Sequence, residues 1–594
     1  MIKVKDCNSL KRVSVYTILV AVILALALGR IVYLFAFEKT GLHSDEIWSY
    51  GLANGYYLPY VYEDYTREND INLNDWISGE YLKDYITVQP GERFSYGSVI
   101  YNLKADFHPP LYFSILHTIS SFFPDTYSLW FGFAINIVVF IVLGIYLYKL
   151  AKKITGSEAA ALVIVVYYVL CAGGVNTFLY IRHYAMLTMF GVMTVYYHYR
   201  IIDGEEHAFR KNWWKLLLAV LGGCMTQYMF LGFAFGLAVV YCFCFLIRKM
   251  YKKLVVYMGI MLGSVDCVFL LTGFATGVER KSEVDTGLSF YSNFRMTLKC
   301  AISDLFGYRM NGDELFYIRE FLTTALVIAV VLIPLFGLLV KDKKINIDVQ
   351  KLKEKVKKGF EFSPRKVLIT ALISAVAIVW ISVVLTAEPM EMGAYTDRYL
   401  FVIFPYLIIF TYLFIGWLVK VFTAVVRRII KRGEACRHVI WTRVPVVLMV
   451  VLLTINLVKA EPIYLFSRVE NDVTLEELAK DKDCILVLTQ HWLLTCYSNL
   501  LMDADRIFVT GVNEYEQQSS EYETLNEETI LIMDVSSIKL ALALENGGSF
   551  EEIKKSDVEE RFLPYFEDVF DGRTVEYVQE DVIFTRDIYV YRIK

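Results

Sequence analysis

The chain has 594 residues, 56% of them hydrophobic, with 42 Tyr and 40 Phe and a mean hydropathy of +0.44. Its 59 Lys and Arg stand against 63 Asp and Glu, a formal net charge of -4 that leaves no basic stripe for holding nucleic acid. Such apolarity over such a length sets the class as a polytopic membrane protein, in which charge matters by location.

Apolar stretches of about 17–25 residues, long enough to cross a bilayer, fall near 14–37, 127–148, 158–175, 184–199, 214–226, 228–247, 254–274, 319–340, 366–387, 399–419 and 443–460. That gives about eleven spans. The first carries Ala25-Leu-Ala27, which resembles a signal-cleavage site, but the apolar run continues to Phe37 and favours a retained anchor. Placing Lys3, Lys5, Lys11 and Arg12 in the cytoplasm puts Lys149/Lys152/Lys153, Arg210/Lys211/Lys215, Arg248/Lys249/Lys252/Lys253, the Lys341–Lys366 run and Arg427/Arg428/Lys431/Arg432 on the same side. The loops after spans one, seven and nine, and everything after Lys459, then lie outside. The expected location is a plasma membrane, with the N-terminus cytoplasmic.

Two large pieces fall on the outer side. Residues 38–126 are rich in Tyr and acid (Tyr56-Tyr57, Tyr60, Tyr62-Glu-Asp-Tyr65, Glu80-Tyr81, Asp84-Tyr85) and read as short helices and turns lying on the membrane. Residues 461–594 turn abruptly acidic and soluble, with strand-like Ile485–Thr489, Arg506–Thr510 and Thr529–Asp534 separated by helix-like stretches, the alternation of a small α/β domain. The expected division is therefore a membrane domain over 1–460 and an outer α/β domain over 461–594. The outer domain has no GxGxxG or P-loop pattern for a nucleotide. The ten cysteines are scattered without metal-ligand spacing; Cys484 and Cys496 share the outer domain and are the one pair weighed as a disulfide. There is no Asn-x-Ser/Thr sequon, which leans towards a bacterial membrane.

Eight residues past the first span lies Asp45-Glu46, in Gly41-Leu-His-Ser-Asp-Glu-Ile-Trp-Ser-Tyr50. A charge costs roughly 2.5–3.5 kcal/mol at a bilayer centre but little just outside it, so an acid here can meet a membrane-borne substrate. By residue type alone the pair reads first as solvated juxtamembrane charge, or as an N-cap for a helix starting near Ile47. Asp266 and Arg30 are a separate matter: both fall inside apolar spans, where an ionisable group needs a partner and marks either function or a satisfied structural pair.

Taken in order, Asp45-Glu46-Ile-Trp-Ser-Tyr-Gly-Leu-Ala, His108-Pro-Pro-Leu-Tyr112, Tyr180-Ile-Arg-His-Tyr-Ala-Met-Leu, Thr226-Gln-Tyr228 and Thr396-Asp-Arg-Tyr-Leu-Phe-Val-Ile-Phe-Pro405 resemble the outer-face landmarks of the GT-C membrane glycosyltransferases. The pattern is nearest that of the protein O-mannosyltransferases and the lipid A aminoarabinose transferase, which are family-39-like. It covers about residues 10–460; the departures are Gln227, where a His is expected, and the outer domain, which has no counterpart in the pattern.

The resemblance implies inverting transfer of a sugar from a polyprenyl-phosphate carrier to an acceptor hydroxyl on the outer face. The implied general base is Asp45, with Glu46 beside it, because a hydroxyl is a poor nucleophile until its proton is taken. Arg182 and Arg398 are the implied holders of the phosphate, since a planar guanidinium matches its oxygens. His108, Tyr112 and Tyr399 are further substrate-binding candidates, with His43 a weaker one, while His183 reads as a packed polar residue. Each Arg has a plainer role open to it as an anchor at headgroup phosphates, and His108-Pro-Pro as a turn before a helix. No cofactor is required by pattern; a divalent cation on His43, Asp45, Glu46 and His108 stays open, because their spacing is not diagnostic. The acceptor is a lipid, a cell-wall polymer or a protein, which the outer domain is expected to position. Two other readings differ in class: a transporter or flippase for a lipid-linked sugar, with Asp266 and Arg30 as a charge relay, and a scaffold presenting the outer domain. The chain has no visible internal repeat of the kind transporters carry, and a scaffold leaves the ordered motifs of the first loop unexplained.

Overall fold

A computed structural model describes residues 14–62, 74–202, 206–272, 290–307, 363–386, 396–430, 437–512, 514–522, 524–525, 528–546, 553–570 and 573–594. The expected span at 319–340 lies outside them, as do Lys3, Lys5, Lys11, Arg12, Lys431, Arg432 and the Lys341–Lys366 run up to residue 362.

Among the described residues six helices are long and apolar enough to cross a membrane: Val15–Glu38, Leu129–Thr155, Met229–Ile247, Tyr251–Leu271, Pro364–Leu385 and Asp397–Thr423. A seventh crossing is made by Glu158–Leu170 and Ala172–Leu179 if that pair, bent by 58° at Cys171, is one span. Helices also occupy Tyr184–Ile202, Glu206–Cys224 and Arg437–Lys459, where three more spans were expected. The fold class agrees with the sequence reading, while a count of eleven is not reached among the described residues. Outward faces carry apolar side chains such as Leu26, Val138, Phe235 and Leu270, as a surface in contact with hydrocarbon requires.

Arg30 is not joined to Asp266. Its Nη1 donates to Leu170 O at 2.9 Å, so the guanidinium sits on the last carbonyls of the helix that ends at the bend, where a cation complements the helix dipole.

The C-terminal domain, expected on the outer side, is built on a six-stranded sheet: β1 (Asp75–Ser78), β2 (Asp483–Leu488), β3 (Arg506–Gly511), β4 (Thr529–Asp534), β5 (Val575–Ile583) and β6 (Arg586–Ile593), in the order β1-β3-β2-β4-β6-β5. The central three strands are parallel and match the expected ones; each is buried along most or all of its length, as near-continuous Ile, Leu and Val demand. Two features depart from the expectation. The chain ends in an antiparallel hairpin, β5–β6, with β6 against β4. At the opposite edge, β1 comes from the first outer loop and pairs antiparallel with β3, Trp76 opposite Phe508. The division at 460/461 is thus crossed by a strand ladder, which Asn74 reinforces by bonding Glu514 (2.5 Å) and Thr510 (2.8 Å). Cys484 and Cys496 are buried and free.

Candidate active site

The site is organised by the helix α2 (Ser44–Asn54), which begins a few residues beyond the first span. The chain enters it through Gly41, where a Cβ would fall 2.1 Å from Phe466 O, so no other residue fits without a backbone shift. His43 is the N-cap: its Nδ1 accepts from Asp45 N at 3.0 Å, and Glu46 Oε2 accepts from His43 N at 2.9 Å. The helix therefore starts earlier than the expected Ile47, and both acids occupy its first turn, where the exposed N–H groups favour negative charge.

The two acids face different surroundings. Glu46 Oε2 pairs with Lys39 at 3.1 Å, both side chains 0% exposed, and Oε1 accepts from Ile181 N at 2.8 Å. Lys39 Nζ also donates to Tyr464 O at 2.8 Å. Burial pushes the Glu46 carboxyl up and the Lys39 ammonium down, each opposed by the other's charge. Glu46 thus joins the end of the first span, the start of α2, the 180–183 turn and, through Lys39, the segment leading to the outer domain.

Asp45 points into a cluster of cations. Its Oδ2 accepts from Tyr180 OH at 2.7 Å and lies 3.7 Å from Arg182 Nε, 3.6 Å from Arg398 Nε and 3.9 Å from His43 Nδ1. Burial pushes the Asp45 carboxyl up, but Arg182, Arg398, His43 and the Tyr180 hydroxyl together hold it well below the usual carboxylate range. Burial takes His43 the other way, down to about 3, opposed by the charge of Asp45 and aided by Arg398, Arg182 and Lys39.

Arg182 sits in the turn between the helices Ala172–Leu179 and Tyr184–Ile202. Its Nη1 donates to Asp45 O (2.5 Å) and Ser49 Oγ (3.5 Å), and its Nη2 lies 3.3 Å from His108 Nε2. His108 is fixed in turn by Asp106, whose Oδ2 is 2.8 Å from His108 Nδ1. Arg398 lies in the 3-10 segment Thr396–Ile403, its guanidinium 4.7 Å from the Tyr399 ring centre and its Nη2 donating to Tyr399 OH at 3.1 Å.

Of the expected residues, the structure brings Asp45, Arg182, Arg398, His108 and Tyr399 together. Tyr112 is fully buried behind them, its ring 6.4 Å from that of His183. Glu46 is turned away into its own ion pair. His183 is buried and bonded to Gln227 at 3.1 Å, so the departure at Gln227 keeps a polar partner for that imidazole. Sequence reasoning gave no role to Tyr180 or Lys39; Tyr180 stands two residues before Arg182 in a quoted motif, which was its signal.

The residues weighed for a divalent cation do not fit one. His43 Nδ1 is taken by Asp45 N, Glu46 is held by Lys39 and the N–H groups of His43 and Ile181, and two guanidiniums occupy the space around Asp45. Among the described residues no three His, Cys, Asp or Glu side chains gather to hold a metal.

A comparison with curated proteins finds no match. The structure aligns with two crystal structures of ArnT from Cupriavidus metallidurans, one bound to undecaprenyl phosphate and one in the apo state. Both alignments have a TM-score of 0.45 and cover 97% of this chain and 98% of the other, at 11% and 10% identity respectively. Residues 107–271 match the family model of the dolichyl-phosphate-mannose-protein mannosyltransferases. That stretch holds His108, Tyr112 and Arg182 but neither Asp45 nor Arg398. Over it, the chain is similar to the membrane sugar transferases that its ordered outer-face motifs resemble.

Proposed function

We propose that this protein is a membrane glycosyltransferase that moves a sugar from a polyprenyl-phosphate carrier to an acceptor hydroxyl on the outer face, with inversion at the anomeric carbon. The observation that carries the reading is a carboxylate, Asp45, set 3.6–3.7 Å from two buried guanidiniums beside the membrane domain. One group suits a proton and the other two suit a leaving phosphate. The family matched over residues 107–271 is described by its use of a dolichyl-phosphate-linked mannose, which supports the donor class.

In this mechanism the acceptor hydroxyl donates its proton to Asp45 as its oxygen bonds the anomeric carbon, while the bond from that carbon to the phosphate oxygen breaks. Both arginines turn Nε towards Asp45, leaving Arg182 Nη2 beside His108 and Arg398 Nη2 beside Tyr399 to take the departing phosphate. Phosphate binding also draws on the positive charge that holds Asp45 ionised, so the carboxylate becomes a better base once the donor is in place. Tyr180 and His43 orient Asp45, and Glu46 fixes the distance between α2 and the Arg182 turn rather than reacting.

The test is transfer by purified protein in liposomes, with a panel of radiolabelled polyprenyl-phosphate sugars and lipid, wall-polymer and protein acceptors. Turnover is expected for one donor and is lost in Asp45→Asn with expression and insertion unchanged. Folded protein that turns over no donor, or an Asp45→Asn variant that keeps the wild-type rate, would reject the reading.

A further inference from the structure

The tip of the β5–β6 hairpin is one of the points at which the C-terminal domain reaches the site. That hairpin turns through two residues, Phe584 and Thr585, with φ of 48° and 60°. Two-residue turns of this kind favour Asn-Gly, because both positions need the left-handed conformation. Phe and the β-branched Thr are poor choices for it, and such strain persists only where the surroundings impose it.

The surroundings impose it here from both sides. Just after the tip, Arg586 Nε and Nη2 donate to the buried carboxylate of Asp534 at 2.8 and 3.1 Å. Just before it, buried Asp581 Oδ2 accepts from Arg468 Nε and Nη2 at 3.0 and 2.6 Å. Arg468 N in turn donates to Thr40 Oγ1 at 2.8 Å, one residue before Gly41. The hairpin is therefore clamped to the strand of chain that enters α2.

The clamped tip presses the Phe584 ring edge-on against His43, with ring centres 4.4 Å apart at 78°. Phe466 and Tyr180 complete the wall, at 5.6 and 5.7 Å from the imidazole. His43 can cap α2 only while Nδ1 keeps its lone pair for Asp45 N, and a dry apolar wall keeps it so.

Resting on the reading of Asp45 as the base, we propose that Phe584 is a positioning residue. From the outer domain it holds His43, and through that cap it holds Asp45 in line for the acceptor. The outer domain is then part of the active site as well as a platform for the acceptor.

The test uses the full chain in detergent with Phe584→Leu, Phe584→Val and Phe584→Ala, and two readouts. The first is the rate at which diethyl pyrocarbonate modifies His43, read by peptide mass spectrometry against exposed His491 as internal reference. The second is the split of transfer kinetics. Wild type and Phe584→Leu should protect His43, whereas Phe584→Ala should let it react at the rate of His491, with Phe584→Val between. With His43 loosened, kcat should fall about 10- to 100-fold, because a 1 Å misplacement costs that much, while KM for the donor stays within about twofold. A Phe584→Ala protein with protected His43, or with wild-type kcat beside a reactive His43, would overturn the proposal. If the wild type transferred no sugar, the glycosyltransferase reading would fall, and the labelling series would still decide whether Phe584 holds His43.

Discussion

Lys39 and Glu46 form a pair whose removal can be worked out from its geometry. At 3.1 Å and 0% exposure, an effective dielectric of about 20 puts their attraction at roughly 5 kcal/mol. Both ions also gave up water to be there, so the pair as a whole contributes far less than that. Breaking it from one side leaves an uncompensated buried charge. Lys39→Met strands a carboxylate that keeps only the N–H groups of His43 and Ile181, and Glu46→Gln strands an ammonium that keeps Tyr464 O. Each should cost about 3–5 kcal/mol. The double variant Lys39→Met/Glu46→Gln has no ion left to desolvate, and its amide oxygen still accepts from one of the two backbone N–H groups, so it should cost less than either single change. SDS-titrated unfolding followed by circular dichroism measures all four corners of the cycle. Additive costs, with the double variant the least stable, would refute the claim that the pair is ionised and buried, and with it the role of Glu46 as a tie. Transfer should follow the same order, because Glu46 bridges the residues beside Asp45 and Arg182.

Three further outcomes follow from the same geometry. His43 titrates at about 3 in the folded chain against 6.5 as the ordinary value, so between those pH values only the unfolded chain takes up its proton. Stability is full above pH 6.5 and falls as pH drops to about 3, by up to about 1.4 kcal/mol per pH unit, and His43→Gln should remove that part of the slope in pH-dependent unfolding. Asp45 is held below its usual range, so its share of stability is present above pH 3.8 and is lost only at lower pH. The kcat/KM profile for donor should accordingly show no acid limb from Asp45 above pH 4, whereas kcat, which reports the donor-bound state, should show one at higher pH; identical limbs would remove the link between phosphate and base. Arg182→Lys keeps the charge but loses the fork that reaches both Asp45 O and His108, and donor KM should rise about 10- to 100-fold, as loss of a charge-assisted bond implies.

The chain's sequence disclosed the site more fully than the fold around it. Asp45, Arg182, His108 and Arg398 stood at ends of apolar spans expected on one side, and the resemblance of their ordered motifs to the GT-C landmarks implied them in one place. The division of labour within Asp45-Glu46 was not readable, because neighbouring acids on a helix point about 100° apart and only packing says which one meets Lys39. The central strands were legible as runs of Ile, Leu and Val, whereas β1 was not. Four residues between Tyr-rich turns have no period to read, and their strand character comes from a partner more than 400 residues away. The hairpin tip was hidden for the opposite reason. Phe584-Thr585 lacks the Gly and Asn that announce a tight turn, since two buried ion pairs impose what the local sequence does not favour.

The donated strand β1 sets a timetable for biogenesis. Asn74 and Thr510 are 436 residues apart, a distance that translation at about 5–20 residues per second covers in roughly 20–90 s. Until the chain beyond residue 460 is made, the segment 74–78 has no sheet to join, and Gly41 and His43 have no Phe466 or Phe584 to rest against. A nascent or truncated chain therefore holds the acid and the arginines without the walls that aim them. The proposed site is therefore completed last, after the chain between Asn74 and Thr510 has been made.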